Sequence, residues 1–303
     1  MKGYALLEGP CLARRTTMGL GGDALAEVRL TEARFAGEAL DAAERLARDR
    51  GARVVFLGRG SNLLVREGTL PLVVVSLDLG LGLSVRREGG RGILRAGADM
   101  PLAALLARAA SLGFSGLEAL AGIPGSLGGA LAMNAGSFGT CLADVLRSAL
   151  IFTREGGLRE AEAGDFVFAY RGCRLREEGS GPAADFLVTE VCLELVRKDP
   201  ARIRERMAEV FRQKQAGQPI AARSAGCVFK NPRPERPAGR LLEEAGLRGR
   251  RCGGMRFSPL HANFLENTGE GSCAQALELI ALAREAVERQ SGFSLELEVR
   301  LWP

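Results

Sequence analysis

The fifteen residues from Gly122 to Gly136 hold five glycines, with Pro124, Ser126 and Asn134 between them, and almost no bulky side chain to shield their own backbone. Main-chain N–H groups left this bare must be covered by something, because an unpaired amide withdrawn from water is costly. An anion such as a pyrophosphate, lying against the exposed amides, is an economical cover. A shorter stretch of the same kind, Gly58-Arg59-Gly60-Ser61-Asn62-Leu63, follows a strand-like run at residues 53–57, the setting of a phosphate-cradling loop. It is not a GxGxxG fingerprint, since Leu63 stands where the last glycine belongs, and no Walker lysine is present. By itself this shorter loop reads equally well as a tight turn.

Elsewhere helical and strand periodicities alternate. The spacing predicts a helix over residues 31–50, capped by Thr31 and stopped at Gly51, with Phe35, Leu40, Ala43 and Ala47 near one face. A second, over 101–112, has Pro101 in its first turn, Gly113 past its end, and Leu102, Leu105, Leu106 and Ala109 at spacings of three and four. Strands are expected at 53–57, 72–77 and 186–196, with a hairpin over 149–163 turning at Gly156-Gly157. Asp199-Pro200 opens a third helix with Ile203, Met207, Val210 and Phe211 on one face, and its sharp start suggests a domain boundary near 197. Ser272 and Gln275 make a capping box for a last helix ending at Gly292, before a closing strand at 294–301. The whole reads as α+β.

A chain of 303 residues has room for two or three units, and 47% apolar with 25% charged residues is ordinary for a soluble protein. No apolar run approaches the roughly 18 residues that cross a bilayer, and the N-terminus lacks the apolar core of an export signal, so a cytoplasmic address is expected. Seven scattered cysteines with no CxxC spacing read as reduced thiols rather than a zinc site. The net charge of +5 is spread without a basic run and aromatics are only 5%, which points away from nucleic acid and toward small anionic ligands.

Thr17-Met18-Gly19-Leu20-Gly21-Gly22, then GRGSNLLV at 58–65, then GLEALAGIPGSLGGALAMNAGSFG at 116–139, resemble in order and spacing the FAD-binding half of the UDP-N-acetylenolpyruvoylglucosamine reductases. The likeness runs from about residue 14 to the C-terminus. It implies an FAD-binding fold of the vanillyl-alcohol-oxidase (PCMH-like) type in two subdomains, 1–70 and 71–196. A separate α+β substrate-binding domain would occupy 197–293, and 294–303 would return as a strand to the FAD-binding half. The implied activity is NADPH-dependent reduction of an enolpyruvyl UDP-sugar through non-covalent FAD by a monomeric enzyme, with no nucleic-acid or membrane partner. Implied FAD contacts are Gly58, Arg59, Gly60, Ser61, Asn62, Leu63, Gly122, Ile123, Pro124, Gly125, Ser126, Gly128, Gly129, Ala130, Asn134, Ala135 and Gly136. The single histidine, His261, lies outside the glycine-rich half, which excludes the histidyl tether some flavoproteins of this fold use; a structural role is expected for it.

Hydride delivery to an enolpyruvyl ether needs a cation for the carboxylate, a proton donor for the α-carbon, and a polar group that keeps the array poised. The resemblance assigns the cation to Arg171 in Ala169-Tyr170-Arg171-Gly172, with Tyr170 beside the substrate. It places the donor in Gly226-Cys227-Val228-Phe229-Lys230-Asn231-Pro232, where the family usually carries serine and this chain carries Cys227. A thiol is the stronger acid, so donation survives the exchange. Lys230 and Asn231 are expected on the sugar nucleotide. Strand alternation would put Glu296 and Glu298 on one face and cannot choose between them; the match to Glu-Val-Arg assigns Glu298 as the catalytic carboxylate. The short stretch 177–185 implies the subtype without the tyrosine-bearing insertion. An alcohol or sugar oxidase of the same fold, or a non-catalytic nucleotide-sugar-binding protein, are the competing readings.

Overall fold

The computed structural model describes residues 3–80, 82–176 and 186–303; the stretch on which the missing insertion was inferred lies outside them. The chain packs into two units, Met1–Glu8 with Ala26–Arg59 and Val73–Arg212, and Gly9–Leu25 with Gly60–Leu72 and Gln213–Pro303. These units reflect packing, a different criterion from the ligand-based division expected from the sequence.

The first unit contains an antiparallel six-stranded sheet in the order Gly157–Glu162, Leu146–Thr153, Leu187–Arg197, Arg91–Gly97, Leu83–Glu88, with Phe114–Ser115 also paired to Leu187–Arg197. From residue 187 to 195 the third of these strands is buried at every position except Glu190 and Glu194, which carry cross-strand ion pairs, and Val196 and Arg197 are exposed. Arg95 reaches Glu190 at 2.8 Å and Glu160 at 2.6 Å, while Arg91 and Arg147 share Glu194. The other sheet has the order Tyr4–Glu8, Asp23–Leu30, Thr69–Leu77, Arg53–Leu57.

Helix α1 (Ala36–Asp49) packs Ala36, Ala39, Leu40, Ala43 and Ala47 with Val28, Leu30, Val73 and Val75. It starts five residues later than the sequence suggests. Thr31 does not cap it: Glu32 is extended at φ −140°, the N–H groups of Thr31 and Glu32 both go to Gly3 O at 2.9 and 3.0 Å, and a short 3-10 turn, Ala33–Phe35, precedes the helix. Helix α2 (Leu102–Leu112) buries Leu102, Leu105, Leu106 and Ala109 as expected, and Gly113 closes it in the left-handed region at φ +79°. The short α3 (Leu127–Ala132), capped by Ser126, was invisible in the sequence because a glycine- and alanine-rich run shows no apolar period. Asp199 Oδ1 accepts the N–H of Ala201 and so caps α4 (Pro200–Gly217), within which the two units divide. Phe211 is 43% exposed rather than on the buried stripe, one residue and about 100° around the helix from buried Val210.

The second unit pairs Arg251–Cys252, Met255–Phe257 and Leu265–Asn267, and packs α5 (Ala238–Glu244) and α6 (Cys273–Ser291) over a core of Phe229, Phe257, Leu242, Leu279 and Ile280. The Ser272–Gln275 capping box is formed, and Gly292 ends α6 at φ +71°. The closing strand is shorter than expected. Only Arg300–Trp302 forms it, parallel to Leu63–Val65; residues 294–299 meet other segments through single bridges and make no continuous ladder. All seven cysteines are free, and no helix among the described residues is long and apolar enough to cross a membrane.

Candidate functional site

In the first unit the two glycine-rich stretches meet. Gly58 follows the strand Arg53–Leu57, and a Cβ added to it would stand 2.7 Å from Ser126 Oγ. Around this point Gly58, Arg59, Gly122, Pro124 and Gly129 are exposed, Ile123 and Gly125 are half-buried, and Ser126, Leu127 and Ala130 are buried. Bare backbone with its side chains turned inward is what a dinucleotide's phosphates require, so these residues fit an FAD cradle. Not every glycine is there for a ligand. Gly128 donates its N–H to Ala98 O at 2.8 Å, and a Cβ on it would lie 2.8 Å from Ala98 Cβ, so close packing alone demands glycine. Gly136 pairs with Cys141 in a small hairpin. Ala135 is buried in the core, and its main chain is spent inside the protein, its N–H donating to Ala130 O at 2.7 Å and its O accepting from Leu142 N–H at 3.0 Å.

Arg171 sits at the tip of the hairpin Phe166–Ala169 with Gly172–Leu175, and its Nη1 donates to Gly136 O at 3.3 Å. Its guanidinium lies over the ring of half-exposed Tyr170, 5.1 Å from the centroid. Asn134 Nδ2 donates to Ala169 O at 3.4 Å and its Oδ1 accepts from Ala143 N at 3.2 Å, so this carboxamide ties the glycine-rich stretch to the base of the Tyr170-Arg171 turn. Asn134, Phe138 and Arg171 are the non-glycine residues with positive φ among the described residues, at +40°, +49° and +59°. Backbone strain of this kind gathers where a side chain must point somewhere particular.

The second unit joins the remaining residues. The segment from Cys227 to Lys230 runs between two others. On one side Cys227 bridges Phe264 and Val228 N–H donates to Asn263 O at 2.8 Å. On the other, Glu298 N–H donates to Val228 O and Lys230 N–H to Glu296 O, both at 2.8 Å. Asn62 Nδ2 in turn donates to Glu298 O at 3.1 Å, and Asn62 O accepts from Arg300 N–H at 3.0 Å. The structure therefore links Asn62, Glu298 and the Cys227 segment in one hydrogen-bonded array; Arg171 belongs to the other unit. Gly60 fixes the start of this loop: it adopts φ +62°, its O accepts from Thr17 N–H at 3.2 Å, and a Cβ would collide with Arg15 O. Ser61 is half-buried, and Leu63 is buried in its strand.

The two glutamates that alternation left equivalent differ, because residues 294–299 are not a strand. Glu296 is 73% exposed and paired with Lys230 Nζ at 2.5 Å. Asn231 Oδ1 accepts the N–H of Ala238, the first residue of α5, at 3.0 Å. His261 accepts the N–H of Asn263 on Nδ1 at 3.2 Å and meets Phe264 edge-on, and burial lowers its pKa.

One residue passed over in the sequence is Lys214. It is 4% exposed, and desolvation lowers its pKa to about 8. The signal was available: Ile203, Met207, Val210 and Lys214 follow one another at spacings of four, three and four, so a lysine ends the buried stripe of α4.

The side-chain-poor cradle of the first unit has the features of an FAD-binding protein. Residues 37–162 match the FAD binding domain family, and 218–302 match the C-terminal domain of UDP-N-acetylenolpyruvoylglucosamine reductase. The reductase of that name from Nitratidesulfovibrio vulgaris is 47% identical over 297 residues, covering 98% of each chain, and that from Oleidesulfovibrio alaskensis is 44% identical, again over 98% of each. The crystal structure of the Thermus caldophilus UDP-N-acetylenolpyruvylglucosamine reductase superposes with a TM-score of 0.78 at 36% identity, covering 99% of this chain and 100% of that one. The chain belongs to the UDP-N-acetylenolpyruvoylglucosamine reductase family and has its FAD-binding, PCMH-type α+β fold.

Proposed function

We propose that this chain reduces UDP-N-acetylglucosamine enolpyruvate to UDP-N-acetylmuramate at the expense of NADPH, a step in making peptidoglycan precursors. Residues 1–196 would enclose FAD and 197–293 receive the sugar nucleotide. The observation that supports the reading is the hydrogen-bonded array that brings the backbone of Glu298 and the segment beginning at Cys227 to the glycine-rich loop carrying Asn62.

FAD, when bound, would supply the two-electron redox chemistry that links NADPH to the enolpyruvyl group. Gly58, Gly122, Ser126 and Gly129 would hold it through their backbone. Arg171 grips the enolpyruvyl carboxylate with its planar fork, which stabilises the negative charge that develops there. Cys227 gives its thiol proton to the α-carbon and regains one from solvent. Glu298, fixed at its backbone by Val228 and Asn62, keeps the donor and the substrate oriented. Lys230 and Asn231 contact the sugar nucleotide.

The test is Cys227→Ala. Flavin reduction by NADPH should proceed at the wild-type rate while UDP-N-acetylmuramate formation stops; near-normal turnover of the sugar nucleotide would remove Cys227 from the mechanism.

A further inference from the structure

Asn263 is the side chain by which the Cys227 segment is held. It is 2% exposed, and both ends of its carboxamide are spent on one residue: Oδ1 accepts Phe229 N–H at 2.9 Å, and Nδ2 donates to Phe229 O at 2.8 Å. Its own carbonyl accepts Val228 N–H at 2.8 Å. A carboxamide used this way substitutes for a neighbouring strand. Among side chains of this length only an amide offers one acceptor and one donor in the required plane. The turn that presents it is locked in place, with Asn263 N–H on His261 Nδ1 and Ser258 N–H on Phe264 O at 2.8 Å. Val228 N–H on Asn263 O and the Cys227–Phe264 bridge continue this grip to the residue that carries the thiol.

We infer that Asn263 is a positioning residue for the proton transfer, its carboxamide fixing the Cys227 thiol relative to Glu298. The inference rests on the proposed role of Cys227.

Asn263→Asp tests it with a near-isosteric side chain. The carboxylate still accepts from Phe229 N–H but sets a lone pair against Phe229 O; once protonated it regains the donor. Three quantities are followed from acid to alkaline pH: sugar-nucleotide turnover, flavin reduction by NADPH, and the rate at which iodoacetamide modifies Cys227, read from the mass of its peptide. At alkaline pH the variant should lose about 100-fold in kcat, as expected when a reacting group is misplaced by about an ångström. Turnover should recover toward acid pH, the pH midpoint of Cys227 alkylation should move, and flavin reduction should stay at the wild-type rate.

Wild-type turnover with an unchanged pH profile overturns the inference. So does a parallel fall of turnover and flavin reduction, which marks a scaffold residue. Asn263→Ser, which keeps a smaller donor and acceptor, should fall between wild type and Asn263→Asp; failure of both variants to fold assigns Asn263 to the scaffold and equally overturns it. Cys227→Ala separates the two levels. Turnover surviving there ends the role of Cys227, whereas its loss there beside normal turnover in Asn263→Asp ends only the role of Asn263.

Discussion

Arg171 and Cys227 are held by opposite means. Arg171 occupies the left-handed region at the tip of a two-residue turn, surrounded by bonds of 3.3 and 3.4 Å. Cys227 begins an extended segment pinned on both sides by bonds of 2.8 and 2.9 Å, two of them fully buried. A strained tip aims one side chain at a local cost of about 1–2 kcal/mol, whereas a pinned segment spreads its constraint over several residues. The tip can therefore be changed one residue at a time, whereas a change at one bond of the segment is passed to its neighbours.

The largest effect that bears on this contrast is expected at Arg171→Gly. Glycine keeps the turn and deletes the fork, so kcat/KM for the sugar nucleotide should fall by about 10³-fold. The melting temperature should hold or rise, because the left-handed penalty is removed; a clear drop breaks the contrast. Arg171→Lys should restore little, since an ammonium cannot grip a carboxylate bidentately.

Next is Lys214, a buried charge on α4. Below about pH 8 it is protonated in both folded and unfolded chains, and the cost of burying it is fully present. Between about 8 and 10.5 the folded chain gives up a proton that the unfolded chain keeps, so stability rises with pH across that window. Urea unfolding at several pH values should show that rise in the wild type and not in Lys214→Met, which should be more stable below pH 8 by up to about 3 kcal/mol. A wild-type curve that falls across the window would contradict the assignment. The smallest effect is expected at Ser272→Ala. Loss of the capping box of α6, whose core includes Phe229, should cost about 1 kcal/mol in the same assay. Cys227 alkylation should not change, which shows that the segment answers to its own bonds and not to general stability.

Local signals read well in this sequence. Pro101 and Gly113 bracket α2, Ser272, Gln275 and Gly292 bracket α6, and Gly156-Gly157 turns the hairpin whose register pairs Thr153 with Gly157. Each depends on residues a few positions apart. What failed depends on distant partners. Thr31 satisfies the rule for a cap, yet Gly3 takes its N–H; the alternation of 294–299 looks like a strand, yet those residues meet their neighbours one bond at a time. At the site, the glycine stretches announced themselves by composition, while Gly128 turned out to serve Ala98. Nothing in the order of residues marked Asn263, because its partner Phe229 is 34 residues away and an asparagine in a loop reads as a turn.

Leu63–Val65 lies parallel to Arg300–Trp302, and Asn62 bonds to Glu298 from 236 residues away. A ribosome must therefore deliver almost the entire polypeptide before the loop after Gly60 finds its partners. Closing so long a span is an entropic cost that falls on the finished chain rather than the nascent one. A message cut short upstream of residue 298 would yield a product that lacks both the Glu298 and the Arg300 bond to Asn62.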